Sequence, residues 1–172
     1  MPRDDRLGKL DPHYDAMRVA TIARVGLGRG QVSPALIGVK NLVALYDSGQ
    51  EIVTYYPATQ AGLVSALALA GNNDSVWLPS RIIVLTTGIV LLAGAALLGI
   101  DEKAALSFSS FSGTAITMAA NSICYNFRMT FTSNGVTAIG VDARFSGSKT
   151  DRLIVEIAGG STTRVGVWAG VA

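Results

Sequence analysis

The chain has 172 residues, of which 49% are hydrophobic and 15% charged, with a formal net charge of +2. This balance supports a large buried core, leaves little charge for a wide solvated surface, and points to a membrane or to extensive burial against partners. It argues against an electrostatic nucleic-acid binder, since no Lys/Arg cluster reaches five residues. A single cysteine, Cys124, forms no disulfide within the chain, and one cysteine with one histidine makes no metal set, so no cofactor is expected.

The opening MPRDDRLGKLDPHYD is charged and lacks the apolar core of a secretory signal. That suits a protein that stays inside the cell in which it is made until released, or an extracellular protein whose signal has been removed. Residues 1–14 read as a tail or extended arm. MRVATIARV reads either as a short helix (Met17, Ala20, Ile22, Ala23) or as a strand (Met17, Val19, Thr21, Ala23, Val25), with strand or arm preferred. Gly26-Leu27-Gly28-Arg29-Gly30 lacks the spacing of a nucleotide loop and no Walker lysine follows, so it reads as a connector. Up to Leu45 there are seven basic and four acidic residues, leaving the remainder near −1. That asymmetry would suit docking on an acidic protein surface, and an ordinary solvated arm shares it. Residues 1–50 are therefore taken as an N-terminal attachment segment and 51–172 as the folded body.

Leu42–Tyr46 and Ile52–Tyr55 read as strands of a hairpin around Asp47-Ser48-Gly49-Gln50. A helix is expected over Pro57–Ala70, with Pro57 in its first turn and Leu63, Ala66, Leu67 and Ala70 as one apolar stripe. Placed before a solenoid, such a helix would cover its hydrophobic end. The next stretch, VWLPSRIIVLTTGIVLLAGAALLGI, has two readings. Ile82–Ile100 holds 19 residues without a charge, long enough for a membrane helix. Its β-branched residues and the breaks at Thr86-Thr87-Gly88, Gly94 and Gly99 favour short buried strands joined by tight corners.

Gln60-Ala61, Asp74, Val76, Leu78-Pro79 and Gly88-Ile89-Val90-Leu91 together resemble the entry into the pectate-lyase-like right-handed parallel β-helix, a superfamily that includes phage tailspikes. The resemblance covers about Tyr55–Phe131. Ser80-Arg81 stand where that pattern usually has glycine, and the family's catalytic motifs are not evident, so the resemblance implies a fold more than an activity. Equivalent strands are expected at Ile89–Leu92, Ala115–Ala119, Thr137–Val141 and Arg164–Trp168, whose starts are 26, 22 and 27 residues apart. A second set is Ile123–Phe131 and Leu153–Ile157. Alternation assigns Ile123, Phe127, Met129 and Phe131 inward, with Cys124, Asn126, Arg128 and Thr130 outward.

Sugar-cleaving chemistry on such a scaffold needs converging charged groups, paired carboxylates for hydrolysis above all. Asp142 and Glu156 are the weak catalytic candidates. Asp142, Arg144, Arg128 and Arg164 are the weak binding candidates, Asp142 and Arg144 sharing one strand face. Asp151 and Arg152 are expected on neighbouring coils. Salt links on a solenoid surface are the simpler reading of these charges. His13 lies in the arm, Cys124 has no activating neighbour, and Trp77 and Trp168 read as packing residues.

The expectation is a mainly β protein: a short right-handed parallel β-helix with an N-terminal capping helix and an extended arm. Its expected function is non-enzymatic, as a virion-associated tailspike or fibre component. It would be a homotrimer attached to other assembly proteins through residues 1–50, with surface glycans as further partners. The alternatives are a carbohydrate-active β-helix enzyme, whole or fragment, and a membrane protein organised around Ile82–Ile100. The uncharged end after Arg164 is expected to be covered by neighbouring chains or by further polypeptide.

Overall fold

Alternating apolar residues in short runs, broken by Gly and Asn, build a chain that coils back over itself. The computed structural model describes residues 41–50, 52–159 and 163–169. The elements are β1 (Leu42–Asp47), β2 (Ile52–Pro57), α1 (Gln60–Leu69), β3 (Ser75–Leu78), β4 (Ile82–Leu85), β5 (Ile89–Leu91), β6 (Ala96–Gly99), β7 (Ala105–Met118), β8 (Ile123–Ala143), β9 (Lys149–Gly159) and β10 (Thr163–Ala169). The protein is mainly β, in a solenoid-like arrangement of about three turns. The expected arm, His13 and the Gly26–Gly30 connector lie outside the described residues.

Three parallel faces stack in register. Ser75, Ala96, Ile123 and Lys149 stand above one another on the first face. Ile82, Ala105, Arg128 and Ile154 do so on the second, and Ile89, Ile116, Val141 and Val167 on the third. The four equivalent strands expected from the sequence are therefore those of the third face, and Phe127 pairs with Leu153 as expected. The expected hairpin forms too, β1 pairing antiparallel with both β2 and β3 so that it extends the first face.

Corners are made by residues in the left-handed region. Asn73 (φ 70), Gly94 (φ 74), Asn121 (φ 58) and Gly147 (φ 72) each precede a strand of the first face. Asn and Gly tolerate this conformation where other residues are strained. Backbone bonds join the stack: Asn73 N–H donates to Gly94 O (3.1 Å), Gly94 N–H to Ala120 O (2.9 Å) and Asn121 N–H to Ser146 O (2.9 Å). A Cβ on Gly94 would collide with Asn72 Oδ1, and one on Gly147 with Asn121 Oδ1.

One corner corrects the expected register. Asn126 turns the chain at φ 59 between the first and second faces, and Arg152 does the same one turn later at φ 51. Alternation does not continue through such a corner. Cys124 therefore points into the main core with Phe127, Met129 and Phe131, whereas Ile123 belongs to a separate buried cluster with Trp77 and Leu98. Arg128 is exposed, as expected.

The main core consists of inward columns. Ile83, Leu106 and Met129 are at most 1% exposed, and Val155 above them is only half-buried. Phe108, Phe111 and Phe131 pack tilted or edge-on, with centroids 5.1–6.3 Å apart. Leu63, Ala66, Leu67 and Ala70 of the helical segment join this core as the apolar stripe predicted. The helix begins at Gln60 rather than Pro57, because Pro57 is held in β2 opposite Leu42 and Thr59 caps the helix by accepting from Gly62 N–H at 3.3 Å. Gln60 ties it to the β4–β5 corner, accepting from Thr86 N–H (2.7 Å) and donating to Thr87 Oγ1 (3.0 Å).

Ile82–Ile100 is not a helix. It forms β4, β5 and β6, broken where Thr and Gly predicted breaks, and no helix among the described residues is long and apolar enough to cross a membrane.

Asp74 links three segments: Oδ1 accepts from Ser48 N–H (2.8 Å) and Ser48 Oγ (3.1 Å), and Oδ2 accepts from Gly71 N–H (2.7 Å). Asp74→Ala leaves these donors unmatched and is expected to cost about 2–3 kcal/mol in urea unfolding. Phe127→Ala is expected to cost about 3–5 kcal/mol by opening a cavity, against at most about 0.5 kcal/mol for Arg128→Ala. Equal losses in the second pair would overturn the register.

Candidate functional site

The third face carries an outward column of Val90, Thr117, Asp142 and Trp168. Arg144, two residues beyond Asp142, folds back on it: Nε donates to Oδ1 at 2.8 Å and Nη2 to Oδ2 at 2.7 Å. The Arg144 backbone N–H adds a longer bond to Oδ1 at 3.3 Å. The guanidinium lies 3.8 Å from the centroid of the Trp168 ring, so carboxylate, guanidinium and indole form one closed stack. Asp142 is 6% exposed and Trp168 41%. The bonds from Arg144 hold the Asp142 carboxyl below its ordinary range, outweighing the opposing effect of burial. A general acid working near neutral pH needs the opposite shift, and this carboxylate is instead held ionised by its arginine.

The other charges are distributed over the surface. Arg128 and Glu156 point outward from the second face, in register with Ile154 and Thr130 respectively. Arg164 is exposed on the third face in register with Ala138, and Asp151 stands over Tyr125 on the first. Arg152 sits at the corner with its guanidinium 5.6 Å from the Tyr125 ring centroid. Asp142 and Glu156 thus occupy different faces, Glu156 on the second and Asp142 on the third. Burial pushes the Cys124 thiol far up, away from any nucleophilic role. Among the described residues no group of three or more His, Cys, Asp or Glu could hold a metal ion.

Two grooves emerge from the stacking. One, of about 170 Å³, runs on the second face between Ser107, Ser109, Thr130, Thr132 and Glu156, over the buried rings of Phe108 and Phe131. Its signal was present in the sequence: Ser-Phe-Ser and Thr-Phe-Thr recur one turn apart, hydroxyls outward and rings inward. It can accept and donate hydrogen bonds but holds a single carboxylate. The other, of about 280 Å³, is apolar and lies between α1 and β5, lined by Val64, Leu67, Ala68, Ile89, Val90 and Leu92. Nothing in the local sequence of the helix marked its outer side as a groove wall, because Val64 and Ala68 fall outside the stripe that packs inward.

The clamp has a pH signature. A depressed folded-state carboxyl pKa stabilises the fold above the ordinary carboxylate range, and this contribution is lost as pH falls through the folded value. Asp142→Asn is expected to flatten the decline in unfolding midpoint below about pH 4, leaving the shape of the curve above pH 6 unchanged. Identical acid limbs for the two proteins would show that the clamp carries no linkage. No protein-family model matches the chain, and no match is found among the curated proteins or the solved structures compared with it.

Proposed function

We propose that this chain is a non-enzymatic structural module, a short right-handed β-helix of the pectate-lyase-like, tailspike type. In this reading it acts in a virion-associated spike or fibre, three copies packed side by side. The observation that carries the reading is a set of exposed apolar side chains on the second and third faces of the first turn. Ile82 (59% exposed), Val84 (58%), Val90 (56%) and Leu92 (44%) point outward from β4, β5 and the corner after it. Val64 of α1 adds to the set across the 280 Å³ groove. Large apolar side chains exposed on two adjoining faces support a protein contact, since isolated soluble chains seldom expose many of them together. Parallel association about an axis along the solenoid brings the same residues of each copy to the centre. The helix and hairpin serve as the cap of the solenoid at this end.

The test is sedimentation equilibrium of the purified chain in dilute buffer at micromolar concentration. A trimer is expected, and Val84→Lys together with Val90→Lys should weaken association at least tenfold while leaving the circular dichroism spectrum unchanged, because both side chains are already exposed. A stable monomer would remove the reading. The competing carbohydrate-active enzyme is checked on acidic and neutral polysaccharides, where no cleavage is expected. Turnover that disappears in Asp142→Asn or Glu156→Gln would move the assignment to that enzyme.

A further inference from the structure

The last turn differs from those beneath it in having an open edge. Among the described strands β9 pairs with β8 along one edge and with none along the other. Its inward residues Leu153, Val155 and Ile157 are only half-buried, whereas Phe127, Met129 and Phe131 directly below them are at most 3% exposed. A bare strand edge beside a half-covered core is a template for another strand. This edge is also self-complementary. Over Arg152-Leu153-Ile154-Val155-Glu156 a positive and a negative charge stand two residues to either side of Ile154. In an antiparallel pair of two such strands centred on Ile154, Arg152 faces Glu156 at both ends, Leu153 faces Val155, and Ile154 faces itself. Parity is kept, with Leu153 and Val155 toward the bore in both copies and Ile154 and Glu156 outside. A two-fold axis normal to the second face produces this pairing and sets bore over bore. Arg152, Ile154 and Glu156 are all exposed, and neither charged residue forms an ion pair among the described residues. The guanidinium of Arg152 rests 5.6 Å from the Tyr125 ring centroid, a contact that leaves its N–H groups free.

We infer that the free edge of β9 is a self-association surface whose occupant is β9 of a second copy, antiparallel and centred on Ile154. The two solenoids then meet end to end. Backbone hydrogen bonds continue the second face from one copy into the other, and the half-buried Leu153 and Val155 gain neighbours of their own kind. The paired charges fix the register, because sliding one strand by two residues takes each arginine away from its glutamate. Charge complementarity also selects the occupant: an antiparallel strand that matches this edge needs its acidic and basic ends in the order β9 itself carries. The contact is axial, goes beyond the lateral association proposed above and does not depend on it. A single strand edge buries little area, so this pairing forms at higher concentration than a broad lateral contact.

The test uses the full chain carrying Val84→Lys and Val90→Lys, so that lateral association does not mask the result. Sedimentation equilibrium at submillimolar concentration is expected to show dimers. Arg152→Glu alone and Glu156→Arg alone each set like charges opposite one another, and each is expected to weaken dimerisation about tenfold with the circular dichroism retained. Mixed in equal amounts, these two variants are expected to pair with each other as tightly as the parent pairs with itself, since opposite charges then meet at both ends. Separately, Ile154→Cys places a thiol on the two-fold axis, where facing Cα atoms lie about 4.5–5.5 Å apart, within disulfide reach. Mild oxidant is expected to link it into dimers, whereas Glu156→Cys, whose copies stand about 13 Å apart along the strands, stays unlinked. The native Cys124 is buried and does not compete. A parent chain that stays monomeric, single charge variants that dimerise like the parent, or a mixture that fails to recover would overturn the inference. Equal disulfide yields at positions 154 and 156 would overturn the register and the inference with it.

Discussion

The constraint on which everything else depends is the close vertical repeat of a parallel stack, about 4.8 Å from one turn to the next. At that spacing a corner in one turn must be superimposable on the corner above it. The residues just before the first face obey this requirement: Asn73, Gly94, Asn121 and Gly147 all take positive φ, and the amide of one bonds to the neighbouring layer. A branched side chain at Gly94 or Gly147 would occupy the space already held by an asparagine side chain. Loop length is free to vary between corners, as in the long bulged course of β7, because only the corners and strands must stack.

Given that stack, each column becomes a packing problem in its own right. Leu85, Phe108, Phe131 and Ile157 occupy one inward column, and aromatic residues sit in its middle where both neighbours are filled. The first face adds a second apolar layer on its far side, through Trp77, Leu98 and Ile123. A sheet that buries both surfaces uses apolar residues at consecutive positions rather than at alternate ones. Val76-Trp77-Leu78 and Ala96-Leu97-Leu98 are such runs. They belong to the stretch whose apolar run suggested a membrane.

What the sequence revealed follows the same logic. The third-face strands were legible because each is a short apolar run set off by Gly or Ser. The helix was legible because Leu63, Ala66, Leu67 and Ala70 follow a helical period. The parity of Ile123 and Cys124 was not, because period-2 reasoning assumes a straight strand and Asn126 inserts a corner into it. Asparagine at φ 59 is uncommon but chemically easy, so nothing in the alternation warned of it. Of the site residues, the pairing of Asp142 with Arg144 was readable from their separation of two. The position of Trp168 beneath the guanidinium was not, since it depends on a register set one whole turn away.

The surface changes character along the axis, and this bears on what a chain with so few charges does with them. Outward positions of the first turn are Ile82, Val84 and Val90. Those in register above them are Ala105, Ser107 and Thr117, then Arg128, Thr130 and Asp142, then Ile154, Glu156 and Trp168. At these strand positions charge enters in the upper turns, while Arg81, Glu102 and Lys103 stand exposed beside the strands of the lower ones, and Asp142 is neutralised at once by Arg144. The larger of the two grooves described is apolar, and Arg128, Glu156 and Arg164 stand apart on exposed faces. Exposed apolar side chains recur at the far end as well, where Ile154 is 50% exposed and Val167 and Trp168 are each 41% exposed, so polarity varies from column to column rather than in one direction along the axis.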